Sequence, residues 1–309
     1  MSMINIDIRM PTDQTRRRFI ATTGIASVAA LAGCAGNGDG GDSGDGSEED
    51  GGDGGGTANR LSWHAGGTGG TYFPLSNEIK TIVEANTDFS LNVQSTGASV
   101  ENVGSLSDGS ADFALIQNDI ASFAKNGTGI DAFEGSPIES LQGVATLYPE
   151  TITLVTLAGN DISTIDDLSG ATINTGDLGS GTQVNANQIL ESAGISDYNE
   201  QNAGFSQASE QLANGDIDAA FVVGGWPVGA IEDLANTNDV EIVPIDGETR
   251  ETIKSDASWF ANDTIPGGTY SGVEEAVETV AVQAMIATHS GVDADTVETV
   301  TAAIFDNLD

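Results

Sequence analysis

The chain has 309 residues, of which 47 are acidic and only nine are lysine or arginine, so its formal net charge is −38. A surface this acidic repels nucleic acid and anionic lipid headgroups, which excludes nucleic-acid binding as a function class. Cys34 is the only cysteine, so no intrachain disulfide and no metal site built on cysteine can form. We expect neither a metal nor a cofactor.

Residues 1–33 have the order of an export signal. Residues 16–18 are all arginine and precede an uncharged run, 19–33, that ends in Leu-Ala-Gly before Cys34. A basic segment, a short apolar segment and small residues at a cleavage site are typical of such signals. The run is shorter than the roughly 20 apolar residues that span a membrane. The alternative is a cleaved signal followed by an incidental cysteine.

Two details of this segment refine the prediction. The Thr-Arg-Arg-x-Phe-Ile order resembles a twin-arginine signal, which exports proteins already folded. The Leu-Ala-Gly-Cys stretch resembles a lipobox, in which the peptide is cut before Cys34 and the thiol takes a diacylglyceryl group. We therefore expect a protein exported by the twin-arginine route and held by a lipid on the outer face of the cytoplasmic membrane.

Residues 34–58 are predicted to form an acidic, glycine-rich tether. No apolar side chain larger than alanine occurs in residues 35–58, so nothing there can be buried to offset chain entropy. As a flexible coil these 24 residues would reach about 27 Å. A tether directly after an acylatable cysteine supports the lipid-anchor interpretation.

The charge of the mature chain is more extreme than that of the whole. Removing residues 1–33 takes away four basic and two acidic residues, which leaves five basic against 45 acidic, a balance of −40. In molar salt the Debye length falls to about 3 Å, so self-repulsion is screened. We therefore expect a high-salt habitat and a fold that loosens when salt is removed.

The remaining 250 or so residues are long enough for one large domain or two small ones. In chain order the pattern predicts strands at 61–64, 89–93, 113–116, 148–157, 172–174, 219–223 and 240–245. Helical patterns follow residue 71, begin at Ser99 as a cap, and cover 184–193. This alternation predicts α/β layers with mainly parallel sheets.

A weak internal repeat suggests two lobes. Residues 106–114 and 212–220 place Leu, Gly, Asp and Ala at the same spacing, and each stretch is typical of a helix end, a glycine stop and a strand entry. The alternative is that such corners recur in any α/β protein. In open α/β sheets ligands bind at the carboxyl ends of strands, so two lobes with facing ends would form a cleft.

Two glycine loops are the strongest candidates for binding. They cover residues 66–71 and 179–182, and each precedes a predicted helix. Converging backbone N–H groups and a helix N-terminus favour an anion, and Thr71, Ser180 and Thr182 add hydroxyl donors. Because basic residues are scarce, backbone amides and hydroxyls would have to hold an anionic ligand. Neither loop is a phosphate-binding P-loop, because Gly-Lys-Ser/Thr is absent.

Three further side chains leave alternatives open. Trp226 follows two glycines and precedes a proline, where it could cover a ligand or simply pack. His64 ends the first predicted strand and is either a ligand contact or a structural residue. With two histidines in the chain, nucleophile–base pairs are hard to build, whereas acid–base pairs of carboxylates remain open.

Several stretches together resemble the TAXI family, the periplasmic solute receptors of TRAP (tripartite ATP-independent periplasmic) transporters. The order and spacing of the matching segments run through nearly the whole mature chain, and they are specific as a set. They are Gly-Gly-Thr-Tyr-Phe-Pro-Leu at 69–75, Gly-Ala-Ser-Val-Glu-Asn at 97–102, Asp-Phe-Ala-Leu-Ile-Gln-Asn-Asp at 112–119, Gly-Ser-Gly-Thr-Gln-Val-Asn-Ala at 179–186, Gly-Asp-Ile-Asp-Ala-Ala-Phe at 215–221 and Ile-Pro-Gly-Gly-Thr-Tyr at 265–270.

The resemblance implies an α/β, two-lobed fold of the type II periplasmic-binding-protein kind, with a ligand cleft between the lobes. Lobe 1 is expected at 59–147, lobe 2 at 148–277, and a return to lobe 1 at 278–309. The family usually continues further than Asp309, so the return segment is expected to be short. The family also often has Ala-Gly-x-Pro where this chain has Gly-Gly-Trp-Pro at 224–227, which would change the shape of the pocket.

The resemblance also implies a function and a set of ligand-binding residues. The receptor would close on a small carboxylate of the glutamate or 2-oxoglutarate kind and deliver it to an ion-driven TRAP permease, as a monomer and not as an enzyme. The alternatives are an orphan solute-binding sensor and an exported enzyme that uses a cleft carboxylate. With Trp226 as a further candidate, the expected ligand-binding residues are Gly70, Thr71, Tyr72, Ser99, Gln117 and Asn118 from lobe 1, and Ser180, Gly181 and Thr182 from lobe 2.

Overall fold

A computed structural model describes residues 59–308 of the protein. The predicted signal, Cys34, the tether and Asp309 lie outside the described residues. The strands are β1 Asn59–His64, β2 Phe89–Gln94, β3 Phe113–Gln117, β4 Leu141–Leu157, β5 Thr172–Asn174, β6 Asn199–Gln201, β7 Ala219–Gly224, β8 Val240–Val243, β9 Ala261–Ile265 and β10 Val277–His289. The α-helices are α1 Tyr72–Asn86, α2 Ser99–Asp108, α3 Asn118–Asn126, α4 Gly181–Ser192, α5 Phe205–Asn214, α6 Gly229–Ala235, α7 Gly247–Asp256 and α8 Ala294–Phe305.

The strands form one continuous sheet in the order β2-β1-β3-β10-β4-β7-β5-β6, with β8 on β4 and β9 on β10. Two long strands, β4 and β10, run through the middle of this order. One end of β10 pairs with β3 and the other with β9, while the carboxyl-terminal part of β4 pairs with β7 and β8. The two long strands therefore join two halves of the molecule, lobe 1 (β1–β3, α1–α3 and α8) and lobe 2 (β5–β9 and α4–α7).

Each lobe has its own apolar core. In lobe 1, Trp63 and Phe113 stack with ring centroids 5.7 Å apart and are fully buried beneath α1 and α8. In lobe 2, Phe221 and Leu154 are fully buried among side chains of α4 and α7. Burying side chains of this size contributes about 1.5–3 kcal/mol each, so each lobe is stabilised by its own core.

The sheet is mixed, not mainly parallel as the sequence pattern predicts. The pairs β1–β2, β1–β3, β5–β6 and β5–β7 are parallel. The pairs that involve β4 and β10 are antiparallel. The reason is that strand–helix alternation predicts parallel pairing only inside each lobe, whereas β4 and β10 cross between the lobes in opposite directions.

The two corners predicted from the repeat are confirmed and are alike in detail. Gly109 ends α2 with φ 76° and Gly215 ends α5 with φ 75°, a left-handed conformation that glycine adopts at little cost. At the following strand entry, Asp112 accepts the Ser62 N–H and Asp218 accepts the Thr172 N–H, both at 2.7 Å. The two lobes thus share the β-α-β-α-β topology in which a glycine loop opens the first helix.

Candidate functional site

The two glycine loops face each other across a small cavity between the lobes. The cavity has a volume of about 70 Å³, and one water needs roughly 10–15 Å³ on this scale, so it has room for a few waters or a small solute. Residues of both lobes line it: Gly66, Gly67, Gly69, Gly70, Thr71, Tyr72, Thr96, Gly97, Ala98, Ser99 and Gln117 from lobe 1, Glu150 from the connecting strand β4, and Asp177, Ser180, Gly181, Thr182, Gly204, Phe205 and Val223 from lobe 2.

The loop after β1 approaches lobe 2 closely at Gly69 and Gly70, where a side chain would press against Ser206 or Phe205. A β carbon on Gly70 would lie 3.2 Å from the ring of Phe205. The carbonyl oxygen of Gly69 accepts the Ala230 N–H at 3.1 Å, and the Thr71 hydroxyl donates to the Gly225 carbonyl at 3.0 Å. Backbone of lobe 1 therefore contacts lobe 2 directly beside the cavity.

The loop after β5 makes the reciprocal contact with lobe 1. Ser180 is the N-cap of α4, because its hydroxyl oxygen accepts the Gln183 N–H at 3.1 Å. The Gly179 carbonyl accepts the N–H groups of Val100 and Glu101, both at 3.2 Å. The first N–H groups of α2 in lobe 1 are thus satisfied by a carbonyl of lobe 2.

Eight of the ten predicted ligand-binding residues line the cavity, and two do not. Asn118 lies outside it, because its side-chain oxygen accepts the Gln283 N–H at 2.9 Å and ties α3 to β10. Trp226 is 42% exposed and also lies outside the lining. We therefore leave Asn118 and Trp226 out of the proposed site.

Ser99 is in the cavity wall but not in the predicted role of helix cap. The N-cap of α2 is Ala98, and Ser99 is the first helical residue. Its buried hydroxyl oxygen accepts the Gln117 N–H at 3.1 Å. Ser99 therefore joins the start of α2 to the end of β3 beside the cavity.

Glu150 is the site residue that the sequence did not single out. It lies in β4 and is only 2% exposed, and the Tyr72 hydroxyl donates to its carboxylate at 3.0 Å. Burial raises the pKa of Glu150 to about 8, against the lowering effect of hydrogen bonds from Tyr72 and Gln117. A signal for it exists: it is the one acidic residue in the apolar, β-branched stretch 148–157.

A second buried acid supports the wall from behind. Asp119, in α3, is 1% exposed and accepts a hydrogen bond from Asn185 of α4 at 2.8 Å. Burial raises the pKa of Asp119 to about 6, although the Asn185 hydrogen bond lowers it. This contact adds a polar link between the lobes.

The side-chain oxygen of Gln117 is a buried hydrogen-bond acceptor without a partner in the described chain. The residue is 3% exposed, and the oxygen makes no hydrogen bond among residues 59–308. The same oxygen lies against Gly181, where any β carbon would collide with it. Buried polar atoms normally have partners, so this acceptor is suited to a donor group on a ligand.

No lysine, arginine or histidine lines the cavity in the described part of the chain. His64 is buried near it, its ring nitrogens have no hydrogen-bond partner among those residues, and burial lowers the pKa of its ring. His64 is therefore uncharged and is not among the lining residues. Within 59–308, no cluster of three or more candidate ligands for a metal ion occurs either.

The comparisons with known proteins identify the family. The model of the NMT1-like family matches residues 64–309. The fold is similar to that of holo ArgBP from T. maritima, with TM-score 0.50 and 12% identity over 80% of this chain and 89% of that chain. It is also similar to an ancestral arginine-binding protein bound to arginine, with TM-score 0.51 and 14% identity over 80% of this chain and 91% of that chain.

These structures are type II periplasmic solute-binding proteins, so the predicted two-lobed α/β fold with a cleft between the lobes is confirmed. At such low identities the likeness shows the fold alone. Within residues 59–308, no helix combines the length and apolar character that crossing a bilayer requires. The family match covers most of the chain. The chain therefore belongs to the NMT1-like family, a family of periplasmic solute-binding proteins.

Proposed function

We propose that the protein is the extracytoplasmic receptor of a TRAP transporter, which closes on a small carboxylate and delivers it to an ion-driven permease. The observation that carries the proposal is the cavity lined by the N-termini of two helices, one from each lobe. Gly70, Thr71 and Tyr72 at the start of α1 and Ser180, Gly181 and Thr182 at the start of α4 line the same space. The likeness of the stretches that bear these residues to the TAXI family supports the TRAP assignment.

The N-termini of α1 and α4 offer an anion N–H donors and partial positive charge, which no basic side chain among the lining residues provides. The first N–H groups of a helix have no partner inside the helix, and the helix dipole places partial positive charge there. An anionic group in the cavity therefore meets backbone amides of α4 and the hydroxyl of Thr182, which is buried beside them. This is the part of the site that we assign to a ligand carboxylate, of the glutamate or 2-oxoglutarate kind.

The connection between the lobes supports a closing motion. β4 and β10 join the lobes, and register shifts interrupt their pairing between Gln283 and Met285 and between Ile286 and Ala287. β-Bulges of this kind bend strands. We propose that the lobes move about this region and that hydrogen bonds such as Thr71 to Gly225 form when they close. We also place the lobe limits at 147/148 and 277/278.

The proposed location at the membrane keeps the receptor close to its permease. A lipid on Cys34, added after export by the twin-arginine route, would hold a monomeric receptor within tether reach of the membrane. Replacing Cys34 by serine in the producing cell should release the protein from the membrane fraction. Retention of the Cys34→Ser protein in that fraction would contradict the anchor.

The binding proposal is tested by calorimetry in molar salt against glutamate, glutamine and 2-oxoglutarate. We expect one site per chain, no turnover of the bound solute, and weaker binding by about 1–2 kcal/mol in Thr182→Ala, which loses a hydroxyl beside the ligand carboxylate. Thr252→Ala, an exposed position in α7, is the matched control. Absence of heat from folded protein with all three solutes would exclude this ligand class.

A further inference from the structure

The cavity wall contains two buried hydrogen-bond acceptors, and no basic side chain lines the cavity to pair with them. The Glu150 carboxyl and the Gln117 side-chain oxygen both line the cavity, and both residues are at least 97% buried. The Gln117 oxygen makes no hydrogen bond among residues 59–308. The ionised carboxylate of Glu150 and the side-chain amide oxygen of Gln117 are both acceptors. Together they suit a ligand group with several N–H donors.

The ionisable side chains near Glu150 that carry charge are carboxyl groups. Asp177 lines the same cavity, and Asp119 lies close enough to Glu150 to raise its pKa further. The tyrosines beside it, Tyr72 and Tyr148, are both uncharged, because burial and the neighbouring carboxylate raise their pKa values well above the usual range. No basic side chain is among the lining residues. A purely anionic solute would have to enter beside several carboxyl groups.

A buried carboxylate is expensive in free energy unless a cation accompanies it. Burial raises the pKa of Glu150, so a ligand that binds its ionised form must bring a compensating positive charge. A ligand ammonium carries that charge and donates hydrogen bonds that Glu150 and Gln117 can accept. The first turn of α4, on the lobe 2 side of the same cavity, offers N–H donors for a carboxylate.

We propose that the cavity selects a zwitterionic amino acid, whose ammonium group binds Glu150 and Gln117, over the oxo acid of the same shape. This inference rests on the proposed function, because it assigns the two ends of the same site. It narrows the solute class from small carboxylates in general to those that carry a protonated amino group.

The test uses probe pairs that differ only in that group: L-glutamate with 2-oxoglutarate, and L-alanine with pyruvate. Calorimetry on the full chain in molar salt should show binding of at least one amino acid, with its oxo acid bound about tenfold more weakly or worse, as expected when a charged hydrogen bond is lost. Equal affinity for both members of the binding pair would overturn the inference and leave the proposed function intact.

The variant Glu150→Gln keeps the shape of the side chain and removes its charge. It should weaken amino-acid binding by about tenfold or more without weakening the oxo acid. Glu241→Gln, on the exposed face of β8, is the matched control and should bind as the unaltered protein does. Unchanged amino-acid affinity in folded Glu150→Gln protein would also overturn the inference.

The pH dependence of the unaltered protein gives a reading that needs no variant. Bound to an ammonium, Glu150 is ionised, so below its pKa of about 8 each binding event must release a proton. The amino-acid affinity should therefore fall as the pH is lowered from about 7.5 to 5.5, by at most about tenfold per unit. An affinity that rises over this interval would contradict the inference. No heat from any of the four probes would contradict both it and the proposed function.

Discussion

At the scale of single residues, the site depends on positions where a side chain is absent as much as on those where one is present. Gly181 begins α4 and lies against Gln117, whose buried oxygen occupies the space that a β carbon would need. A methyl group at this position would displace Gln117 from the cavity wall. Two elements from different lobes therefore meet at one atom.

Gly181→Ala is expected to weaken solute binding by more than about tenfold, because Gln117 must move or the lobes must stay apart. The matched control is Gly104→Ala, an exposed position inside α2 with open space around it. It should leave binding unchanged and raise the free energy of unfolding by about 0.5–1 kcal/mol, as alanine favours the helix. Calorimetry and thermal melting measure the two effects. Full binding by Gly181→Ala would disprove this packing argument.

Glu150 links stability to pH in the unliganded protein. Its pKa is raised from 4.5 in the unfolded chain to about 8, so its contribution to stability is fully present below about pH 4.5 and is lost as the pH rises through 8. Many other acids titrate at low pH, so the informative quantity is a difference. The gain in melting temperature of Glu150→Gln over the unaltered protein should grow from pH 5 to pH 9. A constant difference would show that Glu150 is not held protonated by burial.

At the scale of elements, the glycine corners make each lobe a copy of the same unit. Asp112 receives the Ser62 N–H at the entry of β3, as Asp218 receives the Thr172 N–H at the entry of β7. Asp112 is the less exposed of the two. Its hydrogen bond is therefore the less screened by water.

Asp112→Ala is expected to lower the free energy of unfolding by about 1–2 kcal/mol, because the Ser62 N–H loses a charged acceptor. Asp218→Ala should be milder, since water can replace its exposed carboxylate. Asp131→Ala, an exposed acid on the connection between α3 and β4, controls for the change in net charge. Chemical unfolding in molar salt measures all three. An Asp112→Ala protein as stable as the Asp131→Ala protein would contradict the assigned role of this corner.

Elements with strong local signals were predictable from the sequence, and those defined by distant pairing were not. The glycine loops, the helix ends at Gly109 and Gly215, and the short apolar strands β3 and β7 each carry a local pattern. β10 was not predicted, because it is recognised through pairing with β3, more than 150 residues earlier. The first part of β4 was missed for a different reason. Many of its residues are exposed or half-buried, so it has no apolar run that predicts a strand.

The candidate site also combines residues that have a local sequence signal with residues that only the fold brings to the cavity. Glycines and hydroxyls of the loops were found because loop chemistry is readable in sequence. Glu150 was missed because the chain has 47 acidic residues, and only the fold shows that this carboxyl is buried beside Tyr72. Asn118 was expected in the cavity from the family resemblance, but it begins α3 and its side-chain oxygen accepts the Gln283 N–H of β10.

At the scale of the whole molecule, the main feature is the large excess of acidic over basic residues. The described part has few ion pairs, among them Arg250 with Glu278 at 3.1 Å and Lys80 with Glu84 at 3.6 Å. Both involve exposed carboxylates, and such pairs contribute about 0–1 kcal/mol. Cations of the medium must therefore screen most of the negative charge.

We expect the protein to lose stability as salt is lowered from about 1 M to about 0.01 M, because the Debye length grows from about 3 Å to 30 Å and surface repulsion is much less screened. Circular dichroism during thermal melting, over a series of potassium chloride concentrations, measures this. Sucrose at matched water activity is the control for effects of dissolved solute other than charge screening. A melting temperature independent of salt would contradict the predicted high-salt habitat.

Solute binding inside the cavity between the two glycine loops can be seen directly in a crystal structure of the protein grown with the amino acid that binds most tightly in calorimetry. We predict density for one solute molecule per chain, with its carboxylate at the N–H groups of Gly181 and Thr182 and its amino group at Glu150. Density for the solute elsewhere, with an unchanged cavity between the loops, would contradict the account.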